Sequence, residues 1–311
     1  MSANEHHTAF VFPGQGSQFA GMGRDVWNAS PAARRIYDEI DATLGVAISK
    51  LCFEGPEDEL KLTENTQPAI LATSLALLAA LRESSDLEPD IVAGHSLGEY
   101  GAIVCAGGLK ADEAAKLVRS RGRFMQEAVP AGEGAMAAIL GPSLEQIEAI
   151  CAEASEGEVV SPANINAPGQ IVIAGTRAAV DRAIELAKAR GARRALLLPV
   201  SAPFHCALMR PAEERLRPVL ELAAFHPLYV PLVTNVDASP VGTDHAVRNA
   251  LIRQVCSPVR WVDSVRRMIA MGVRRFVEVG PGNVLTGLIR RIDSSVELIN
   301  VNGLDSLREL R

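Results

Sequence analysis

A short apolar run, Asp90-Ile-Val-Ala, feeds into Gly94-His95-Ser96-Leu97-Gly98, and a stretch of small residues follows. A serine between glycines at a strand-to-helix turn reads as a nucleophile elbow. The small neighbours let the backbone bend sharply, and the following helix aims its free N–H groups at an oxyanion formed beside Ser96. A serine hydroxyl attacks only once a base takes its proton, so a histidine must come from elsewhere. The chain has six. His6 and His7 fall in a terminus expected to fray, His95 adjoins Ser96 and should point away from its hydroxyl, and His226 and His245 read as surface or helix-start residues. His205, which closes Ser201-Ala-Pro-Phe-His205, is the candidate base; a satisfied loop histidine is the alternative.

No acid stands near His205 in the sequence, and Asp112 or Asp181 would be an arbitrary third member. A backbone carbonyl is another route. The helix expected over 246–255 must stop before Ser257-Pro258, because the residue before a proline is driven out of the helical region. Its last-turn carbonyls, that of Gln254 among them, then lack intrahelical partners and are open to a histidine N–H or to water. In the helix expected over 113–128, Arg121 falls in the middle of an apolar stripe through Ala114, Leu117, Val118, Phe124, Met125 and Ala128, so it should point inward. A buried guanidinium needs a partner, and its fork suits a carboxylate, supplied either by a protein acid or by a substrate. Gln15 sits between Gly14 and Gly16 after the first strand. Its N–H, with that of Leu97, would complete an oxyanion hole; a plain glycine turn is the alternative. The run lacks the third glycine of a dinucleotide fingerprint and the lysine of a phosphate loop, which disfavours nucleotide binding. Gly280-Pro-Gly282 reads as a structural turn.

These residues need a sizeable scaffold. At 311 residues, 48% hydrophobic and 22% charged, the chain suits an α/β core with a second, smaller unit. A net charge of -6 gives no global attraction to nucleic acid or anionic membrane. The longest nearly apolar run, 68–81, is broken by Thr73 and Ser74 and is too short to span a bilayer. No secretory signal is visible, so a cytoplasmic location is expected, without nucleic-acid or membrane partners. Cys52, Cys105, Cys151, Cys206 and Cys256 are scattered without metal-ligand spacing, which suits reduced thiols; no metal or other cofactor is expected.

The expected order of elements starts with a buried strand over 8–12, helices from Asp25 and from Pro68, a strand from Ile91 and a helix from near Ala111. From Gly134 the pattern changes to strand 135–140, helix 143–154, strands 159–166 and 170–175, helix 178–190 and strand 194–200. This βαββαβ order is the split βαβ of a ferredoxin-like unit. The core then resumes through strand 230–234, the 246–255 helix and strand 275–279. The expected division is a hydrolase-like α/β core with a parallel sheet and nucleophile elbow over 1–128 and 201–311, and a ferredoxin-like subdomain inserted over 129–200. A ligand should sit in the cleft between them.

Taken together, Phe12-Pro-Gly-Gln-Gly-Ser-Gln18, Thr66-Gln67-Pro68, Gly94-His-Ser-Leu-Gly-Glu-Tyr100, Arg121-Gly122, Asn164-Ile-Asn-Ala-Pro-Gly-Gln170, Pro203-Phe-His205, Gln254 and Val279-Gly-Pro-Gly282 resemble the malonyl-CoA:acyl carrier protein transacylases of bacterial fatty acid synthesis. The resemblance runs from Phe10 to about Asn302. It implies Ser96 as the acyl-carrying nucleophile, His205 as base, the Gln254 carbonyl as its orienting partner, and Gln15 and Leu97 as oxyanion hole. It also implies Arg121 as clamp on the malonyl carboxylate, with Gln15, Gln67, Asn166 and Phe204 beside the substrate. Malonyl-CoA and holo acyl carrier protein are the implied partners, and a monomer is expected. Phe204 matches the malonyl-selective type among related polyketide acyltransferases, while the two residues before it match neither type. Lys188, Arg190, Arg193 and Arg194 are expected to steer the acidic carrier. The rival readings are an ordinary serine hydrolase or thioesterase, and a non-catalytic carrier-binding module.

Overall fold

The computed structural model describes residues 7–200 and 202–310. His6 and Ser201 therefore lie outside the described residues. Strands β1 (His7–Phe12) and β2 (Ile91–Gly94) start one sheet. A second sheet holds β3 (Gly134–Leu140), β4 (Val160–Ala167), β5 (Gln170–Thr176) and β6 (Arg194–Leu197). The chain then returns to the first through β7 (Leu232–Val233), β8 (Pro240–Val241), β9 (Val273–Val279) and β10 (Glu297–Val301).

The first sheet has the order β10-β9-β1-β2-β7-β8 and is parallel except at β8. β1 is apolar on both faces because helices cover both. Phe10 and Phe12 join the core built around helix Thr63–Ser84, whereas Ala9 and Val11 face Trp261, Val265, Leu285 and Ile289. The second sheet has the order β4-β5-β3-β6, antiparallel throughout, with helices Leu144–Ser155 and Arg177–Ala189 on one face. This is the order a βαββαβ unit gives. On its other face Met136, Val172 and Ala174 merge with the core of the first sheet. Backbone bonds stitch the units together: Ile165 N–H donates to Val259 O at 2.9 Å and Val259 N–H to Ala163 O at 2.8 Å.

Several expectations shift. The second long helix spans Thr63–Ser84, so Pro68 lies inside it instead of opening it. Burial of Thr66, Gln67, Pro68 and most of the following residues outweighs the local cost of the missing N–H. β6 ends at Leu197, three residues early, and β7 is confined to Leu232–Val233. His7 opens β1 instead of fraying. Helices Pro31–Leu44, Ile48–Glu54 and Trp261–Ala270 and strand β10 add to the expected set, and helix Val284–Ile292 follows the Gly280-Pro-Gly282 turn.

Candidate active site

Ser96 follows β2 directly and carries a φ of 52°, in the left-handed region. The turn exists because its flanks have no side chain. A Cβ on Gly94 would lie 1.9 Å from the Gly98 carbonyl carbon, and one on Gly98 would lie 2.0 Å from Phe12 O. Helix Gly98–Cys105 starts immediately after. Ser96 N–H is held by Asn235 Oδ1 at 2.6 Å, and Asn235 Nδ2 donates to Gly94 O at 2.6 Å. Both ends of the elbow are thereby fixed by a residue at the C-terminal end of β7, the end of a parallel strand where α/β sites gather.

Two expected groups converge on Ser96 Oγ, and a third holds one of them. His205 Nε2 lies 2.7 Å away and Arg121 Nη2 donates to it at 2.9 Å. His205 Nδ1 donates to the Gln254 carbonyl at 3.0 Å, which assigns the proton to Nδ1 and leaves Nε2 as acceptor for the serine proton. Gln254 closes helix Asp244–Gln254, so that carbonyl lacks an intrahelical partner, as anticipated from Pro258; besides His205 it accepts the Ser257 N–H at 3.3 Å. His205 itself has a φ of 61°. Ser96 and His205 both occupy strained backbone that the surrounding structure must impose. Burial, then the Arg121 charge, lowers the His205 pKa to about 3, against the opposing pull of the Gln254 carbonyl.

Arg121 points inward, as its stripe position requires, and is 1% exposed. Its partners are amides: Nη1 donates to Gln67 Oε1 at 2.9 Å and Nη2 to Gln254 Oε1 at 2.8 Å. No carboxylate forms an ion pair with it among the described residues. A protein acid does not fill the fork, so it remains available to a carboxylate from outside.

Gln15, Gln67, Leu97 and Phe204 line one cavity with Ser96, Arg121 and His205. The N–H groups of Gln15 and Leu97 have no acceptor among the described residues, which suits donors waiting for an oxyanion. The cavity measures about 110 Å³. That is below the roughly 300–1,000 Å³ of sites that enclose a whole drug-sized ligand, so it suits a short acyl group whose carrier stays outside. Asn166 is placed otherwise: its Oδ1 is bonded to His95 Nε2 at 2.8 Å, and Asn164, two residues earlier on β4, lines the cavity. His95 also lines it, with Nε2 turned to Asn166. Met125, Met136, Leu198 and Val200 complete the walls. The sequence reading gave no site role to Glu99, Asn235, Asn164 or these apolar residues. Glu99 lies inside the Gly94–Tyr100 motif, and Asn235 directly follows the expected 230–234 strand; those were the available signals.

All five cysteines are free thiols, and among the described residues no group of three or more His, Cys, Asp or Glu could hold a metal ion. No described helix is long and apolar enough to cross a membrane.

Known proteins resemble this chain over nearly its whole length. The family model described as an acyl transferase domain matches residues 9–303. A malonyl CoA-acyl carrier protein transacylase of Bacillus subtilis is 49% identical over 300 residues, covering 96% of this chain and 94% of its own. The Escherichia coli K12 protein of the same name is 51% identical over 284 residues, covering 91% and 92%. Among solved structures, the Coxiella burnetii malonyl CoA-acyl carrier protein transacylase superposes with a TM-score of 0.96 at 42% identity, covering 99% of this chain and 98% of that one. A malonyl-transacylase solved in complex with its holo type II PKS acyl-carrier protein gives 0.95 at 46% identity, covering 98% of each. With the match running through both sheets and nearly the whole chain, this protein belongs to the acyl transferase domain family.

Proposed function

We propose that the chain moves a malonyl group from malonyl-CoA to the phosphopantetheine thiol of acyl carrier protein, in fatty acid synthesis, by way of an ester on Ser96. The observation that carries this reading is the meeting of a base at 2.7 Å and an inward arginine at 2.9 Å on one elbow hydroxyl. His205 Nε2 takes the Ser96 proton as Oγ attacks the thioester carbonyl, and the N–H groups of Gln15 and Leu97 receive the oxyanion. Collapse breaks the C–S bond, and His205 returns its proton to the departing coenzyme A sulfur. The carrier thiol then gives its proton to His205, attacks the ester, and leaves with the malonyl group as Ser96 recovers its proton. Arg121 turns its fork to the malonyl carboxylate throughout, so neither charge is buried alone. Phe204 beside the cavity crowds an α-methyl group, a discrimination of about 1–3 kcal/mol per methyl.

In this reading 1–128 with 201–311 form the catalytic core and 129–200 the small subdomain that closes over the acyl group, with Asn166 steadying His95 at the cavity wall. In the same reading the enzyme is a cytoplasmic monomer that takes malonyl-CoA and holo acyl carrier protein as partners. Intact mass after brief exposure to malonyl-CoA tests the proposal. The wild type should gain one malonyl group and lose it when carrier protein is added, with malonyl-carrier as product, while Ser96→Ala should gain none. Release as free malonate would point to a hydrolase, and a label that persists in Ser96→Ala would refute the nucleophile.

A further inference from the structure

The acyl site contains a buried acid that the transfer steps leave without a task. Glu99, on the first turn of helix Gly98–Cys105, is 1% exposed. Its Oε1 accepts the Asn235 N–H at 2.5 Å, and its Oε2 accepts from Gln254 Nε2. Asn235 ties the elbow through Ser96 N–H and Gly94 O. Gln254 accepts Arg121 Nη2 on its Oε1, donates Nε2 to Ser96 O at 3.0 Å, and holds His205 with its backbone carbonyl. Glu99 thus touches no reacting atom, yet each of its oxygens fixes a residue that holds the elbow, the imidazole or the guanidinium in place.

A glutamine side chain has two ends of similar shape and opposite polarity. With Nε2 drawn to Glu99, Oε1 must face Arg121. Turned over, the amide would set N–H groups against the guanidinium and an oxygen against the carboxylate, and both contacts would repel. Glu99, the one carboxylate on this amide, enforces the observed sense together with the Ser96 carbonyl, which also accepts from Nε2. The other buried glutamates are committed elsewhere: Glu213 pairs with Arg210 and Arg217, and Glu278 accepts the N–H groups of Leu285 and Thr286. Burial pushes Glu99 up to about 8, against the Asn235 N–H, the Gln254 amide and the Arg121 charge; because both of its oxygens accept N–H bonds, the contacts are those of the carboxylate, the form the proposal concerns.

We propose that Glu99 is a positioning residue of the acyl site: by orienting the Gln254 amide it sets Arg121 where a substrate carboxylate meets it, and so sets the preference for carboxylate-bearing acyl groups. The proposal rests on the acyl-transfer reading above. A merely structural acid would support the elbow for every substrate alike, whereas an acid acting through Arg121 matters most when the acyl group carries a charge.

The test compares Ser96 acylation by malonyl-CoA and acetyl-CoA, followed by intact mass, in wild type, E99Q and E99D. In E99Q, malonyl transfer should fall by about tenfold or more, as a rise in KM, with acetyl transfer changed by only about two- to threefold. Aspartate keeps an acceptor-only carboxylate facing the Gln254 amide and leaves the Arg121 fork free of a protein acid. E99D should recover most of the malonyl-to-acetyl ratio, and that ratio, not the absolute rate, is the readout. Should E99Q fail to fold, a folded E99D with the wild-type ratio supports the proposal and one without preference overturns it. Equal losses for both thioesters in E99Q, with the wild type still malonylated, also overturn it and leave the acyl-transfer reading intact. A wild type that takes up neither group overturns both.

Discussion

His205 has its proton inventory decided before substrate arrives. Burial and the Arg121 charge hold its pKa at about 3, below the ordinary 6.5. The ring is therefore neutral at neutral and mildly acid pH and ready to accept a proton. A depressed folded-state pKa also contributes stability that is present above 6.5 and is lost as pH falls toward 3. The pH profile of kcat/KM for Ser96 acylation reports the free enzyme and should show no acid limb near 6.5. In Arg121→Ala, measured with acetyl-CoA, the second cause of the depression is gone and the limb should move up toward neutrality; identical profiles for the two proteins would contradict it. The same variant should lose malonyl transfer on the order of 10²-fold, because a substrate carboxylate would then be buried alone, while acetyl transfer falls far less. Ser96, His205, Arg121 and Gln254 were legible because each breaks a local pattern. One interrupts a strand-to-helix turn, one follows a strand end, one lies on an apolar stripe, and one stands before a proline break. Asn235 and Glu99 break none. Their meaning lies in bonds to residues 136 to 155 positions away in the chain, which no local pattern records.

At the scale of elements, the elbow is set by two glycines whose missing side chains admit backbone. Gly98→Ala should destabilise the protein by about 1–3 kcal/mol or more, since the new methyl meets Phe12 O, which cannot move without distorting β1. Gly287 in helix Val284–Ile292 is the control: an added Cβ meets nothing within 4 Å, so Gly287→Ala should be neutral or stabilising by about 0.4–1 kcal/mol. Thermal melts of the two variants, moving in opposite directions or nearly so, check the pair. β1, β2 and the small sheet could be read from sequence because their apolar runs are short and bounded by turns. Pro68 misled the placement of its helix, because a local rule about proline lost to tertiary burial. Helices Pro31–Leu44 and Trp261–Ala270 were missed although their apolar faces are periodic. In each the positions off the stripe are mostly charged, the pattern of an ordinary amphipathic helix with no chemistry-bearing residue to mark it.

For the molecule as a whole, the cavity takes walls from both sheets: Ser96 and Arg121 from the first unit, Met136, Asn164 and Leu198 from the second. The expected carrier-steering residues now separate. Lys188 pairs with Glu185 at 2.7 Å and Arg190 pairs with Glu153, so both are neutralised locally. Arg193 and Arg194 have no acidic partner among the described residues and share a surface hollow with Arg291. Reversing Arg193 and Arg194 to Glu should therefore slow transfer to carrier protein, most at low salt, while leaving malonylation by malonyl-CoA within about twofold; Lys188→Glu should do much less. An unchanged rate with carrier protein across a salt series would remove these arginines from the docking surface.

The nucleophile and its helpers are widely separated along the chain: His205 reaches Ser96 from 109 residues on, and the Gln254 side chain reaches Ser96 O from 158 on. During translation the elbow leaves the ribosome long before the base, and the base before the carbonyl that orients it. A chain that ends before residue 254 thus brings neither the carbonyl that holds His205 nor the amide that holds Ser96 O to the elbow. Activity appears only once the last third of the polypeptide has folded back onto the first.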